Sequence, residues 1–298
     1  MKTNRRGLLI GATALGLAPA GIAAAPAVRR QTAEMQATGA QAGGAEATGG
    51  LTLQGRFVQG GHVVGRTWPR ALVFVDGEAL TTASADGWFV VGLDRDSPAS
   101  SSIEVRSEGR SVHRTISVTP GRFPTSRIDG LPPATVDAPE DPATQALIAR
   151  QVEIKTEGFA SREDTDDFRG GFIWPLETYR ISSLWGAQRI LNGTPARPHY
   201  GIDLAAPAGT MIRAPAAGRV TLARTGMHFE GGLVLIDHGQ GLITAYLHQS
   251  RLDVTEGQRV ARGDTLGRVG ATGRATGPHL CWRMRWRDRN LDPSLMTA

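Results

Sequence analysis

The sequence predicts a mostly-β protein in which two strand-rich units are joined by one helix. Three features carry that reading. The chain has 298 residues, 40% of them apolar, with 38 Gly and 17 Pro, a load that favours strands and turns over long helices. Short runs rich in β-branched and aromatic residues recur at about ten-residue spacing with turn pairs between them. One stretch only, ATQALIARQVEIKTE, has a convincing helical pattern.

Residues 1–27 read as an export signal. Lys2, Arg5 and Arg6 precede an apolar run from Leu8, and small residues close it at Ala25-Pro26-Ala27. The opening NRRGLLIG is similar to a twin-arginine signal, which implies export in a folded state to the periplasm or cell envelope. An uncleaved anchor is the other reading of Leu8 to Val28, but Pro19 and the many glycines and alanines make the run only mildly hydrophobic. No stable membrane span is therefore expected after signal removal. Residues 28–50 are dominated by Ala, Gly, Thr and Gln and read as a disordered linker.

From 51 to 130, FVQGGHVVG, ALVFVDG, GWFVVGL, SIEVRS and SVHRTISV are separated by turn pairs such as Asp76-Gly77 and Asp86-Gly87. This is the spacing of a small antiparallel sandwich of immunoglobulin-like type. His62 and His113 are isolated in it and carry no chemistry. Residues 131–170 hold a proline-rich linker and the helix, entered at Asp141-Pro142 and expected to pack between the two units. Residues 171–298 form the second β-rich unit, a compact antiparallel sheet or barrel. Its GRVGATG has no GKS or GKT after it, so glycine turns describe it better than a phosphate loop.

The formal charge is +5, but removing the signal takes three of the 33 basic residues and no acid, leaving 30 against 28 acidic residues, or +2. No basic run outside the signal exceeds two residues, which argues against a nucleic-acid partner. The single cysteine, Cys281, excludes an internal disulfide. It is paired with another chain, free and buried, or bound to a metal.

Two short stretches bear on that choice. In HYGID, Pro198, Gly201 and Pro207 argue for an extended chain, so His199, Gly201 and Asp203 share one face while Tyr200, Ile202 and Leu204 share the other. In HLCWRMRW, His279, Cys281, Arg283 and Arg285 lie opposite Leu280, Trp282, Met284 and Trp286. Cys281 thus stands on the polar side, where a core filler is out of phase. A histidine, a carboxylate and a thiolate are all zinc ligands, and three of them plus water make a catalytic site. Each pair alone is a weak signal. Tyr246-Leu247-His248 ends another strand, with Tyr246 and His248 expected on one face, and His248 is a fourth candidate. His238 precedes a turn and reads as structural.

The ordered set HYGIDLAAPAGTMIRAPAAGRV, VLIDHGQGLITAYLHQS and EGQRVARGDTLGRVGATGRATGPHL resembles the core of the lysostaphin and LytM family of zinc metallopeptidases, which cut peptide cross-links in bacterial peptidoglycan. The likeness runs from about Gly171 to Leu295. It implies a LytM-like peptidase domain with Zn2+ held by His199, Asp203 and the position of Cys281, and a catalytic pair at His248 and His279. The family ends HLHW where this chain has HLCW. A thiolate holds zinc, but its charge makes the metal less electrophilic, so retained zinc with weakened hydrolysis is the expectation. Peptidoglycan stem peptides are the implied substrate, met by Arg283 or Arg285 if these are not simply solvent-exposed. The rival reading is a degenerate relative that binds peptidoglycan or activates a cell-wall amidase without cutting, with an amidase or a divisome protein as its partner. A thiol-redox role lacks a second cysteine. The arm around Arg189 to Asn192 is a candidate cover for the groove.

Overall fold

The computed structural model describes residues 42–48, 50–131 and 141–297. The export signal and most of the 28–50 linker lie outside the described residues.

The N-terminal unit contains β1 (Ala42–Thr48), β2 (Leu51–Arg56), β3 (His62–Arg66), β4 (Leu72–Val75), β5 (Glu78–Thr82), β6 (Trp88–Gly92), β7 (Ser100–Ser107), β8 (Arg110–Ser117) and β9 (Thr125–Ile128). Two four-stranded sheets, in the orders β1-β2-β3-β6 and β5-β4-β7-β8, bury Leu51, Leu53, Val73, Phe89, Val91 and Val105 in a shared core. The hairpins fold where the sequence supplies positive φ. Asp76 and Gly77 (φ 51° and 87°) form a two-residue turn between β4 and β5, whose twist matches that of the strands. β1 lies inside the stretch read as linker and pairs antiparallel with β2.

Helix α1 (Pro142–Ala160) starts as its sequence dictates. Asp141 caps it by accepting from the Thr144 amide at 2.8 Å, and Pro142, which has no amide to leave unbonded, takes the first turn.

The C-terminal unit contains β10 (Arg180–Ser183), β11 (Gln188–Leu191), β12 (Thr194–Pro195), β13 (Ile202–Ala205), β14 (Met211–Arg213), β15 (Gly218–Met227), β16 (Gly231–Asp237), β17 (Leu242–Gln249), β18 (Arg251–Leu252), β19 (Arg259–Val260), β20 (Thr265–Arg268), β21 (His279–Trp286) and β22 (Arg289–Leu291). Its main sheet runs β10-β13-β21-β17-β16-β15-β19, with β22 on β21, and a small β14-β20-β18 sheet stands apart. One face of the main sheet carries Ile202, Leu204, Tyr246, Leu280, Trp282 and Trp286 into the same core as the N-terminal unit. Burying side chains of this size contributes about 1.5–3 kcal/mol each, so this face fixes the register of the strands that bear the site. The opposite face carries a second core of Leu222, Leu233, Leu235, Ile243, Leu247 and Cys281, against which Ile154 and Phe159 of α1 pack.

The helix therefore does not sit between the two units as its position in the chain suggested. It lies on the outer face of the C-terminal sheet, where Gly158 comes close to Leu222 and Leu235 and Gln151 bonds Gly226 O and the His228 amide. The units meet instead through Gly92, which lies against Leu291 and Trp286, through the Asp292 amide on Gly60 O at 2.8 Å, and through β9, which pairs parallel with β11.

Candidate metal centre

The sheet register builds the site. β13 and β21 are antiparallel neighbours with Asp203 directly opposite Cys281, and β17 places Leu247 on the other side of Cys281. Cross-strand partners project from the same face, so the carboxylate and the sulfur are brought side by side by backbone pairing alone. His199 reaches them from the loop before β13. A Cβ on Gly201 would stand 2.7 Å from Cys281 Sγ and 2.9 Å from Arg283 Cγ, so only glycine leaves room for the sulfur.

His199 Nε2 is 3.5 Å from Cys281 Sγ and 3.2 Å from Asp203 Oδ1, and one ligand atom from each of the three residues lies within 4.8 Å of the others. All three are buried. Asp203 Oδ1 is shut off from solvent with no aligned hydrogen-bond donor, although its other oxygen accepts from Arg189 Nη2 at 3.2 Å. A buried carboxylate oxygen left unbonded between an imidazole nitrogen and a sulfur is costly unless something cationic meets it. The donor set suits a borderline-soft divalent ion.

Outer contacts hold these groups in place. Ser183 Oγ is 3.0 Å from His199 Nδ1, which leaves Nε2 turned toward Asp203 and Cys281. Burial pulls the His199 imidazole below its ordinary pKa, against the opposing pull of Asp203. Burial would raise Asp203, but the close His199 ring, His279 and Arg189 outweigh it and keep the carboxyl well below its usual range. The Cys281 thiol is pushed up to about 12 by burial, despite the nearby Arg283 guanidinium, whose Nε donates to Sγ at 3.4 Å.

His248 and His279 face one another across this cluster, with ring centroids 4.7 Å apart. His279 Nδ1 bonds Gly277 O at 2.8 Å, and its Nε2 lies 3.8 Å from Asp203 Oδ1. His248 Nδ1 bonds Thr272 O at 2.9 Å. A carbonyl can only accept, so both rings carry their proton on Nδ1 when neutral. Burial lowers His248 to about 4, which keeps it neutral near pH 7.

His248 does not reach the site by simple alternation. Tyr246 pairs with Trp282 on the core face, and a flat strand would put His248 on that same face, away from the ligands. Between Tyr246 and Gln249, two residues of β17 oppose the single Leu233 of β16, a β-bulge. His248 sits there at φ 67°, a left-handed conformation rare outside glycine, and the bulge turns its ring into the cleft. The expectation that Tyr246 and His248 share a face is thereby corrected.

Other expectations also shift. Cys281 is on the predicted face, but that face is covered, so the residue is only 1% exposed. Arg283 and Arg285 are half-buried rather than solvent-exposed, the first on Cys281 Sγ and the second over the Phe159 ring of α1 at 5.3 Å. Arg189, read only as part of a covering arm, bonds Asp203, and its strand is held beside the cleft by β9. Ser183 was missed, and no sequence motif marks it. His238 is structural: buried, it bonds Ala217 O at 2.6 Å and Thr244 Oγ1 at 2.7 Å.

The cluster lies in a cavity of about 450 Å³ whose rim includes Arg180, Arg274 and Pro278. Among the described residues no helix is long and apolar enough to cross a membrane.

Comparison with known proteins places this arrangement. The sequence profile of Peptidase family M23 matches residues 197–293, which span all five residues of the cluster. The DD-carboxypeptidase/endopeptidase Mpg of Neisseria meningitidis serogroup B is 42% identical over 127 residues, 42% of this chain and 29% of that protein. The peptidoglycan DD-endopeptidase ShyA of Vibrio cholerae is 39% identical over 118 residues, 39% of this chain and 27% of that protein. The chain spans less than a third of the length of these curated relatives. A solved structure described as peptidase M23 from Pseudomonas aeruginosa is similar across both units, at 30% identity and a TM-score of 0.61, over 81% of this chain and 95% of that one. With the local profile match and this near-complete structural correspondence agreeing, the chain belongs to peptidase family M23.

Proposed function

We propose that the protein is an exported, zinc-dependent endopeptidase that cuts peptide cross-links of bacterial peptidoglycan. One observation carries the reading: His199, Asp203 and Cys281 converge with an unbonded carboxylate oxygen among them, beside two histidines whose Nδ1 atoms are each held by a backbone carbonyl. His199 Nε2, Asp203 Oδ1 and Cys281 Sγ would hold the metal. A bound zinc supplies a Lewis acid and lowers the pKa of water to roughly 7.

The remaining steps fall to the chain's own side chains. His248, neutral at pH 7 and locked by Thr272 O, offers Nε2 as the acceptor for a proton from the attacking water. His279, whose Nδ1–H is held by Gly277 O, offers Nε2 beside Asp203 as a second proton acceptor, and with a proton there it can donate to the oxygen of the tetrahedral intermediate. Arg189 holds the outer oxygen of Asp203, so the inner one keeps its direction. The names of the relatives Mpg and ShyA, both endopeptidases, support the substrate class. The N-terminal sandwich, immunoglobulin-like by its strand spacing, would carry the peptidase domain in the envelope.

A second reading draws on Cys281 itself: a regulator that binds peptidoglycan or an amidase and does not cut. The test is to measure zinc content and to analyse by mass spectrometry the products from purified peptidoglycan, for wild type, Cys281→Ser and Cys281→His. Zinc and cross-link cleavage in the wild type support the peptidase. Zinc without cleavage, restored in Cys281→His, supports the regulator.

A further inference from the structure

The cleft continues beyond His199. A second cavity of about 460 Å³ runs between α1 and the segment Arg197 to Tyr200, and Arg189, His199, Glu230, Arg274 and Arg283 line both spaces. Its charge is one-sided. Lys155, Arg189, Arg197, Arg274, Arg283 and Arg285 face a single carboxylate, Glu230, which Lys155 already holds at 2.5 Å.

Arg189 is committed to Asp203 and Arg283 to Cys281, but neither Arg197 nor Arg285 makes an ion pair with any described residue. Each instead lies over an aromatic face, Arg197 on Tyr200 at 5.1 Å and Arg285 on Phe159 at 5.3 Å. Stacking of that kind leaves the edge of the guanidinium, where its donors point, free for a ligand. Arg285 Nε is buried with no hydrogen-bond acceptor. Burial lowers the Arg285 pKa; Asp288 pulls it back, and Arg197 and Arg162 each push it down by less than Asp288 raises it. The half-buried Arg285, whose Nε has no acceptor, is costly to hold in that state, and a carboxylate bound between it and the exposed Arg197 offsets that cost.

We propose that this cavity is a subsite for a free carboxylate on the peptide strand lying on the Arg197 and Arg285 side of the bond to be cut. The protein therefore selects acidic, carboxylate-bearing stem peptides over amidated ones. This rests on the peptidase reading for the direction of the substrate, but the subsite itself is a matter of charge.

The test uses the full chain and soluble cross-linked peptidoglycan peptides, either as free acids or with their carboxyl groups converted to amides. Affinity and, where cleavage occurs, KM and kcat are measured separately for wild type and for the Arg197→Gln, Arg285→Gln double variant, with zinc content as a control. The wild type is expected to favour the free acid at least tenfold, through KM more than kcat, and the variant to lose that preference with its zinc intact. Equal affinity of the wild type for acid and amide overturns the proposal and needs no variant. So does competition by inorganic phosphate at concentrations matching the peptide, which marks a general anion site. Selective binding of the acid form without any cleavage would leave the subsite standing and remove the peptidase reading. Cleavage of both forms with one KM would do the reverse.

Discussion

Arg283 Nε lies 3.4 Å from Cys281 Sγ, and the same sulfur lies 3.5 Å from His199 Nε2. The cysteine is thus held between a cation two residues along its own strand and an imidazole from the loop before β13. Where the resemblance sets a neutral histidine, this chain sets a thiol, and beside it an arginine that offsets the charge of a thiolate. Removing that guanidinium should weaken the metal site without removing any ligand. Arg283→Ala is expected to lose about tenfold or more in zinc affinity, within the range for outer contacts, measured by competition against a chromogenic chelator. Unchanged affinity would reduce the contact to a packing accident.

Gly201 sets the space that the sulfur occupies. In Gly201→Ala the new methyl would meet Cys281 Sγ at 2.7 Å, closer than carbon and sulfur tolerate. Because Gly201 does not have a positive φ, the strain would come from the contact and not from the backbone. The variant should fold with its core intact and lose most of its zinc, as read by metal analysis alongside a thermal melt.

His248 is placed by a bulge and takes no part in the proposed ligand set. His248→Ala should therefore keep zinc and lose cleavage, with kcat down by about 10²- to 10⁴-fold as for a general base. Loss of zinc together with activity would make it a ligand instead.

The pH response follows from His238. Its imidazole is buried, bonded at both nitrogens and lowered to about 4, against 6.5 for the exposed group, with burial as the main cause. The folded state therefore binds fewer protons than the unfolded one between these values. Its contribution to stability is whole above pH 6.5 and is lost as pH falls toward 4, by up to about 3 kcal/mol at 1.36 kcal/mol per unit. Denaturant midpoints measured from pH 7 to pH 4 should drop, and His238→Gln should flatten part of that drop. A midpoint that rises on acidification would contradict the assignment.

How far the sequence discloses this site depends on which rule places each residue. Alternation along HYGID and HLCWRMRW puts Asp203 and Cys281 on one face, and antiparallel pairing of their strands does the rest. Alternation cannot say whether a face is covered, so the burial of Cys281 beneath Leu247 and the neighbourhood of α1 stays hidden. It also fails at His248, because a bulge is one extra residue against a partner strand that the sequence does not identify. Helix α1 shows its own start through Asp141 and Pro142, but its seat on β15 depends on the absence of a side chain at Gly158, which local pattern does not weigh. Arg189 and Ser183 come from elements with no motif and join the site only through tertiary pairing.

The claim on which the rest depends is that zinc sits among His199, Asp203 and Cys281. X-ray absorption at the zinc edge of the purified full chain reads this directly. The account predicts one sulfur neighbour at about 2.3 Å and nitrogen or oxygen neighbours at about 2.0–2.2 Å. A zinc shell with no sulfur, unchanged in Cys281→Ser, would contradict it.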